Sequence, residues 1–266
     1  MTRPGTAIIT GASSGIGAVY ADRLARRGYD LVLVARDAAR LETAAAWIGA
    51  NTGQRVEAMP TDLTDRAQLA RIEDRVATDR SITLLVNNAG MSLNGTWLTV
   101  EPAEVEQLIM LNTIAPTLLA KAAGSAFAAR GHGAIVNVAS VLAFAPEAHD
   151  GAYSGTKAHL LNLTLAIAAK LGEHGVYAQV VLPGATRTEI FERSGKDLDT
   201  LMAADLIMEA GDLVDAALLG FDRRETVTIP SLHDEAAFER MNAARLALAS
   251  QLHNREVADR YRGSPA

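Results

Sequence analysis

Thr6-Ala7-Ile8-Ile9-Thr10-Gly11-Ala12-Ser13-Ser14-Gly15-Ile16-Gly17 is the stretch that decides the fold. An apolar run of strand length breaks at Gly11 into a glycine-rich turn, and a helix pattern, Ile16–Arg27, begins at once. Glycine lets the backbone turn tightly and lets a ligand approach the main chain closely. The helix that follows offers unpaired N–H groups and the positive end of its dipole. Together they suit a pyrophosphate, and Ser13 and Ser14 add hydroxyl donors. The spacing is G-x-x-x-G-x-G rather than G-x-G-x-x-G. A turn that merely joins strand to helix is the plainer alternative. Its place after the first strand of an alternating chain favours dinucleotide binding.

Working outward, short apolar runs recur at Leu31–Val34, Val56–Met59, Leu84–Val86, Ile135–Val138, Tyr177–Leu182 and Val227–Ile229. Between and after them lie helix patterns at Ala38–Ile48, Ala67–Thr78, Ala103–Ala129, Ala152–Glu173 and Leu213–Gly220. Strands buried on both faces read as continuous apolar runs, and parallel strands need helical crossovers. The alternation therefore predicts a three-layer, doubly wound α/β fold with a parallel sheet of about seven strands. Nothing marks a linker, so residues 1–266 are expected to form one domain. It carries a loop-helix insertion at 189–210 and an amphipathic C-terminal tail at 234–266.

Of 266 residues, 49% are hydrophobic and 21% charged, which excludes a largely disordered chain. A net charge of -6 offers no counterion-release term, so no nucleic-acid partner is expected. The absence of cysteine excludes disulfides, thiolate metal sites and a cysteine nucleophile. The histidines show no ligand spacing, so no metal is expected. No secretory pattern opens the chain, and the uncharged stretch Ser81–Val100 is broken by asparagines and glycines. No membrane span is expected, and the location read from this is cytoplasmic.

The second strand ends Val34-Ala35-Arg36-Asp37. In a dinucleotide fold an acid near this point binds the ribose 2′-hydroxyl, whereas an arginine accommodates a 2′-phosphate. Arg36, with Arg40 one turn on, favours NADPH over NADH. The alternatives are solvated arginines with Asp37 capping the next helix, or Asp37 turned towards a ribose. Further on, Tyr153 and Lys157 stand at i and i+4 and share a helix face. A nearby ammonium favours the phenolate and lowers a tyrosine pKa from about 10, giving an acid or base suited to carbonyl–alcohol chemistry. Alone, such a pair is most often a surface neighbourhood.

Taken in order, these motifs resemble the short-chain dehydrogenase/reductase family, from Thr6 to about Thr188. Thr10–Gly17, with Gly11, Ser13, Ser14, Gly15, Ile16 and Gly17, is similar to its cofactor turn. Asp62-Leu63 resembles the adenine-contacting pair, and Asn87-Asn88-Ala89-Gly90 the fourth-strand motif. Asn112, Ser140, Tyr153 and Lys157 resemble the catalytic tetrad. Pro183-Gly184-Ala185-Thr186-Arg187-Thr188 is similar to the segment that holds the nicotinamide carboxamide. The resemblance implies a Rossmann-type fold and hydride transfer between nicotinamide and a carbonyl carbon. Tyr153 would protonate the oxygen and Ser140 would position it. Lys157 would lower the tyrosine pKa and hold the ribose, and Asn112 would hold a water of the proton relay.

Two positions depart from the family. Ser14 stands where many NADP-preferring relatives carry a basic residue. The last strand, Thr226–Pro230, lacks the Asp-Gly-Gly ending of reductases acting on 3-oxoacyl thioesters. By the same resemblance, Leu93, Val141–Phe144 and insertion residues such as Ile190, Phe191, Leu201, Met202 and Leu206 line a substrate pocket. That lining favours a bulky hydrophobic ketone or secondary alcohol, with the insertion as a candidate lid and His149 as a possible pocket residue. The long helices 103–129 and 152–173 carry more apolar residues than one sheet-facing stripe needs, and the resemblance implies that they pair in a homodimer or homotetramer, tight packing within the monomer being the alternative. The expected function is an NADPH-dependent carbonyl reductase. An NAD-preferring dehydrogenase of the same fold and a non-catalytic dinucleotide-binding protein are the alternatives.

Overall fold

Every residue of β1 (Thr6–Thr10) is buried, because helices cover both faces of the sheet at this strand. Alternate side chains go to opposite layers. Ala7 and Ile9 join Tyr20, Leu24, Leu41 and Leu213 on one side, whereas Ile8 joins Leu69, Ile72, Leu119 and Phe127 on the other. The computed structural model describes residues 4–148, 150–190, 195 and 197–262.

The other strands are β2 (Asp30–Ala35), β3 (Val56–Pro60), β4 (Ile82–Asn87), β5 (Gly133–Val138), β6 (Val176–Val181) and the short β7 (Thr186–Arg187), β8 (Met208–Glu209) and β9 (Val227–Thr228). Seven of them form one sheet in the order β3-β2-β1-β4-β5-β6-β9, with every pairing parallel. The expected architecture holds: a doubly wound, Rossmann-type α/β sheet flanked by helices. Strand order reverses between β1 and β4, and the crevice at their carboxyl ends is where such sheets bind ligands.

The helices are α1 (Gly15–Arg26), α2 (Ala38–Thr52), α3 (Arg66–Thr78), α4 (Pro102–Ile109), α5 (Ala115–Arg130), α6 (Gly151–Leu171), α7 (Leu198–Leu201), α8 (Ala210–Asp222) and α9 (Glu235–Ala249). Side-chain caps start several of them: Asp37 accepts from Arg40 N, Asp65 from Ala67 N and Gln68 N, and Asp150 from Ala152 N and Tyr153 N.

Two departures from the sequence reading concern the site. The single helix expected over 103–129 is split by a π-helical turn, Met110–Ile114, centred on Asn112. The insertion, expected as loop and helix, also supplies β8, which pairs with β7 as a separate two-stranded sheet. The helical stretch Pro102–Arg130, π turn included, is long and apolar enough to cross a bilayer by length and composition alone. Its buried face, with Leu108, Leu119, Ala123 and Phe127, packs in the core, as a core helix does. The described residues divide into two units, one ending at Pro230 and the other starting at Ser231. In the second, α9 has no buried residue.

Candidate active site

The glycine turn is built by close approach. A Cβ on Gly17 would lie 2.2 Å from the Gly11 carbonyl oxygen, and Gly11 itself has φ +68°. Only glycine fits either position without moving backbone. Ser14 holds the N-cap position of α1 without a side-chain cap bond, and the first turn has no acidic residue. The amides at this helix start therefore face no carboxylate of their own helix, as an anion site needs.

The 88–90 segment is stitched to this turn. Thr10 Oγ1 accepts from Asn88 N and Ala89 N, both at 3.0 Å. Asn88 Nδ2 donates to Thr10 O at 3.0 Å and Gly11 O at 3.2 Å. Thr188 closes the other side, about 3.3 Å from where a Gly15 Cβ would stand. Pro183 O accepts from Val141 N, and Thr186 Oγ1 donates to Gly184 O, which ties the 183–188 segment to the end of β5. Asp62 accepts from Thr64 N and Thr64 Oγ1, and Leu63 is buried. These residues fit the pyrophosphate and nicotinamide ends of a dinucleotide: a glycine cradle, a helix start free of acids and two flanking loops.

At the end of β2 the two arginines differ. Asp37 is taken up as the α2 cap, accepting from Arg40 N at 3.0 Å. Among the described residues Arg36 has no carboxylate partner, whereas Arg40 makes a bidentate pair with Glu189. Sequence reasoning missed Glu189, which lies 149 positions away, so no local pattern links it to Arg40.

The four remaining polar residues come together from three elements. Tyr153 and Lys157 project from α6, Ser140 follows β5, and Asn112 sits in the π turn. Ser140, Lys157 and Asn112 are all buried. The Tyr153 hydroxyl pairs with the Ser140 side chain, and Ser140 Oγ also accepts from Leu142 N at 3.2 Å. Lys157 Nζ donates to Val138 O at 3.1 Å and stands 5.6 Å from the Tyr153 ring centroid. Asn112 spends its amide on the chain: Oδ1 accepts from Met91 N and Nδ2 donates to Met91 O, both at 2.9 Å. A Cβ on Gly90 would approach Asn112 Oδ1 at 3.3 Å and Lys157 Nζ at 3.5 Å, so Gly90 keeps that junction open.

Burial controls the protonation of this group. It pushes Tyr153 up to about 12, against the lowering effect of the Ser140 hydrogen bond. Burial also lowers Lys157 to about 8. The sequence reading had the ammonium lowering the phenol. Among the chain's own groups desolvation is the larger effect, so Tyr153 holds its proton at neutral pH and is set up as an acid.

The lysine shift makes a stability prediction. Below about pH 8 Lys157 is charged in both folded and unfolded chains, and the cost of burying it is fully present. Between about 8 and 10.5 the unfolded chain binds more protons, so this cost is relieved as pH rises. Denaturant titration without nucleotide should show wild type gaining stability relative to Lys157→Met between pH 7.5 and 10. A pH-independent gap would refute the depressed lysine.

Of the expected pocket residues, Leu201, Met202 and Leu206 are exposed and Leu198 is buried. Phe191 and His149 lie outside the described residues.

Comparison with known proteins agrees with this geometry. Residues 5–199 match the short chain dehydrogenase family. A short-chain dehydrogenase from Sphingobium yanoikuyae, solved in complex with NADPH, is 49% identical with a TM-score of 0.93, covering 97% of this chain and 100% of that one. A bulky-bulky ketone specific alcohol dehydrogenase from Comamonas testosteroni is 44% identical with a TM-score of 0.91, over 98% and 100% of the two chains. A cis-4-hydroxycyclohexanecarboxylate dehydrogenase from Sinomonas cyclohexanicum is 34% identical over 200 residues, 74% of this chain and 80% of its own length. With the glycine cradle, the Tyr–Lys helix and a match over residues 5–199, the chain belongs to the short chain dehydrogenases, a family of NAD(P)-dependent oxidoreductases.

Proposed function

We propose that this enzyme is an NADPH-dependent carbonyl reductase, reversible as a secondary-alcohol dehydrogenase, acting on a bulky hydrophobic ketone. The observation that carries the chemistry is the half-buried Tyr153, its hydroxyl paired with Ser140 beside Lys157. When bound, a nicotinamide cofactor would supply or accept the hydride. Tyr153 gives its proton to the carbonyl oxygen, and Ser140 hydrogen-bonds that oxygen and sets its position. Lys157, anchored on Val138 O, offers its remaining N–H donors to the nicotinamide ribose. As negative charge develops on the phenol, the ammonium stabilises it. Asn112 holds the loop at Met91 and a water of the proton relay. Gly11, Ser13, Ser14, Gly15, Ile16 and Gly17 cradle the pyrophosphate. Asp62 and Leu63 flank the adenine, and Asn88, Ala89, Gly90, Pro183, Gly184, Thr186 and Thr188 border the nicotinamide half.

Arg36 is assigned to the 2′-phosphate because Asp37 is committed to its cap and Arg36 has no carboxylate partner among the described residues. The NADPH complex of the Sphingobium relative and the ketone preference named for the Comamonas relative support the cofactor and substrate class. An NAD-preferring enzyme is the second reading. It is favoured by the engagement of Arg40, the other expected phosphate ligand, with Glu189.

The test is nucleotide oxidation with NADPH and NADH in parallel across small and bulky ketones. Arg36→Ala should raise the KM for NADPH about tenfold and leave that for NADH nearly unchanged. This corresponds to a charge-assisted hydrogen bond of about 1.5 kcal/mol, the lower end being apt for an exposed site. Equal changes with both nucleotides would remove Arg36 from phosphate reading.

A further inference from the structure

Asp150 is a buried carboxylate three residues before Tyr153, and its two oxygens serve different elements. Oδ1 caps α6, accepting from Ala152 N at 2.9 Å and Tyr153 N at 3.2 Å. Oδ2 accepts from Trp97 N at 2.7 Å, across 53 positions of sequence. A helix cap alone is met equally well by serine or asparagine. Both fail the second task here. The serine hydroxyl is a single, short-reaching oxygen. An asparagine that keeps its oxygen on the helix turns an NH2 donor towards the Trp97 N–H. Only aspartate presents two acceptors on a stem of this length, so the residue type is explained by the tether and not by the cap.

The tethered loop borders the catalytic group. It follows the 88–90 segment beyond β4, with Gly90 next to Asn112 and Lys157, and Met91 is clamped by Asn112. Asn94 stands against Gly195 of the insertion, where a Cβ would meet its side-chain oxygen at 2.6 Å. The loop then reaches Asp150 at Trp97, with Trp97 and Leu98 exposed. One end is thus fixed beside the lysine and the other at the first turn of the tyrosine helix, with the insertion in contact between them.

We propose that Asp150 is a positioning residue for substrate recognition, which holds the 91–97 loop in the one arrangement that accepts a large ketone. The inference rests on the reductase reading above. When the tether is lost the loop samples other conformers, and apparent affinity falls by the fraction that remains competent. A ketone too small to reach the loop is unaffected. Tyr153 keeps its helix cap, so the chemical step is unchanged.

Asp150→Ser retains a cap and removes the tether. It should raise the KM for a bulky diaryl ketone about tenfold, with kcat and the KM values for NADPH and a small ketone within about twofold. Amide hydrogen exchange should speed up over residues 94–99 and not in the first turn of α6. A second variant reaches the same bond from the other side. Trp97 occupies the second position of the turn closed by Thr99 N to Thr96 O, where proline is tolerated. Trp97→Pro deletes the donor, and Trp97→Ala keeps it, so only the proline variant should show the excess KM effect. Adding Asp150→Ser to Trp97→Pro should bring no further loss.

Equal fold-changes in KM for bulky and small ketones in Asp150→Ser, or unaltered exchange over 94–99, would overturn the proposal. So would a common loss of kcat with every substrate, which a purely structural cap would produce. Wild-type enzyme inactive on all ketones would instead count against the reductase reading, and the exchange measurement would still decide the tether.

Discussion

Tyr153→Phe is expected to lower turnover by about a hundredfold to ten-thousandfold, the range for removing a general acid, while nucleotide binding stays within about twofold. The substitution deletes one hydroxyl and keeps the ring. That hydroxyl is the acid of the proposed reaction: desolvated, protonated at neutral pH and paired with Ser140. The cofactor cradle is built by Gly11, Gly17, Thr10 and Asn88, whose contacts do not include the phenol. Steady-state kcat with a reducible ketone, together with NADPH titration followed by nucleotide fluorescence, separates the two effects. Turnover at the wild-type rate would remove Tyr153 from the chemistry. Lost binding would mean that the variant had disturbed the fold and said nothing about the acid.

Gly17→Ala is the second large effect. A Cβ there meets Gly11 O at 2.2 Å and Asn88 Nδ2 at 2.5 Å, against roughly 3.5–4.0 Å for an ordinary carbon contact. The obstacle is backbone, so relief requires the start of α1 to move away from the turn. That movement would open the cradle and strain the Asn88–Gly11 contact. NADPH affinity should fall more than about tenfold, and overpacking should cost about 1–3 kcal/mol of stability. Gly49→Ala is the control. A Cβ there makes contacts of 3.6 Å and longer, and alanine in a helix is favoured over glycine by about 1 kcal/mol. An NADPH affinity unaltered in Gly17→Ala would mean that the cofactor does not use this turn.

The fold was legible because its signals are local and repeated. Runs such as Ile8-Ile9 and Leu31–Val34 are apolar throughout because both faces of a central parallel strand are covered, and the helix periods between them leave few topologies. Tyr153 and Lys157 were legible as a pair because α-helical spacing places i and i+4 together. The break in the long helix at Asn112 was not. Pro116 is a local signal, since it has no N–H to give to the Asn112 carbonyl, but a proline does not say which kind of break forms, and the π turn is stabilised by tertiary bonds to Met91 and Thr156.

Charge behaved in the same way. Arg36 and Arg40 look alike in sequence, and only long-range placement of Glu189 separates them. The sign of the tyrosine shift also escaped the local reading. The lysine's influence follows from spacing, but the opposing desolvation depends on how much of the chain closes over Tyr153.

By itself, the sequence determined the alternating sheet, the glycine turn and the identities of the polar residues that could do chemistry, since each rests on periodicity or on residue type. Tertiary structure decided the rest: that among the described residues Arg40, and not Arg36, meets a carboxylate, which groups hold their protons, and that Asp150 binds a loop 53 positions away as well as its own helix. Hydrogen bonds and desolvation act through space, and the distances that govern them exist only once the chain has folded.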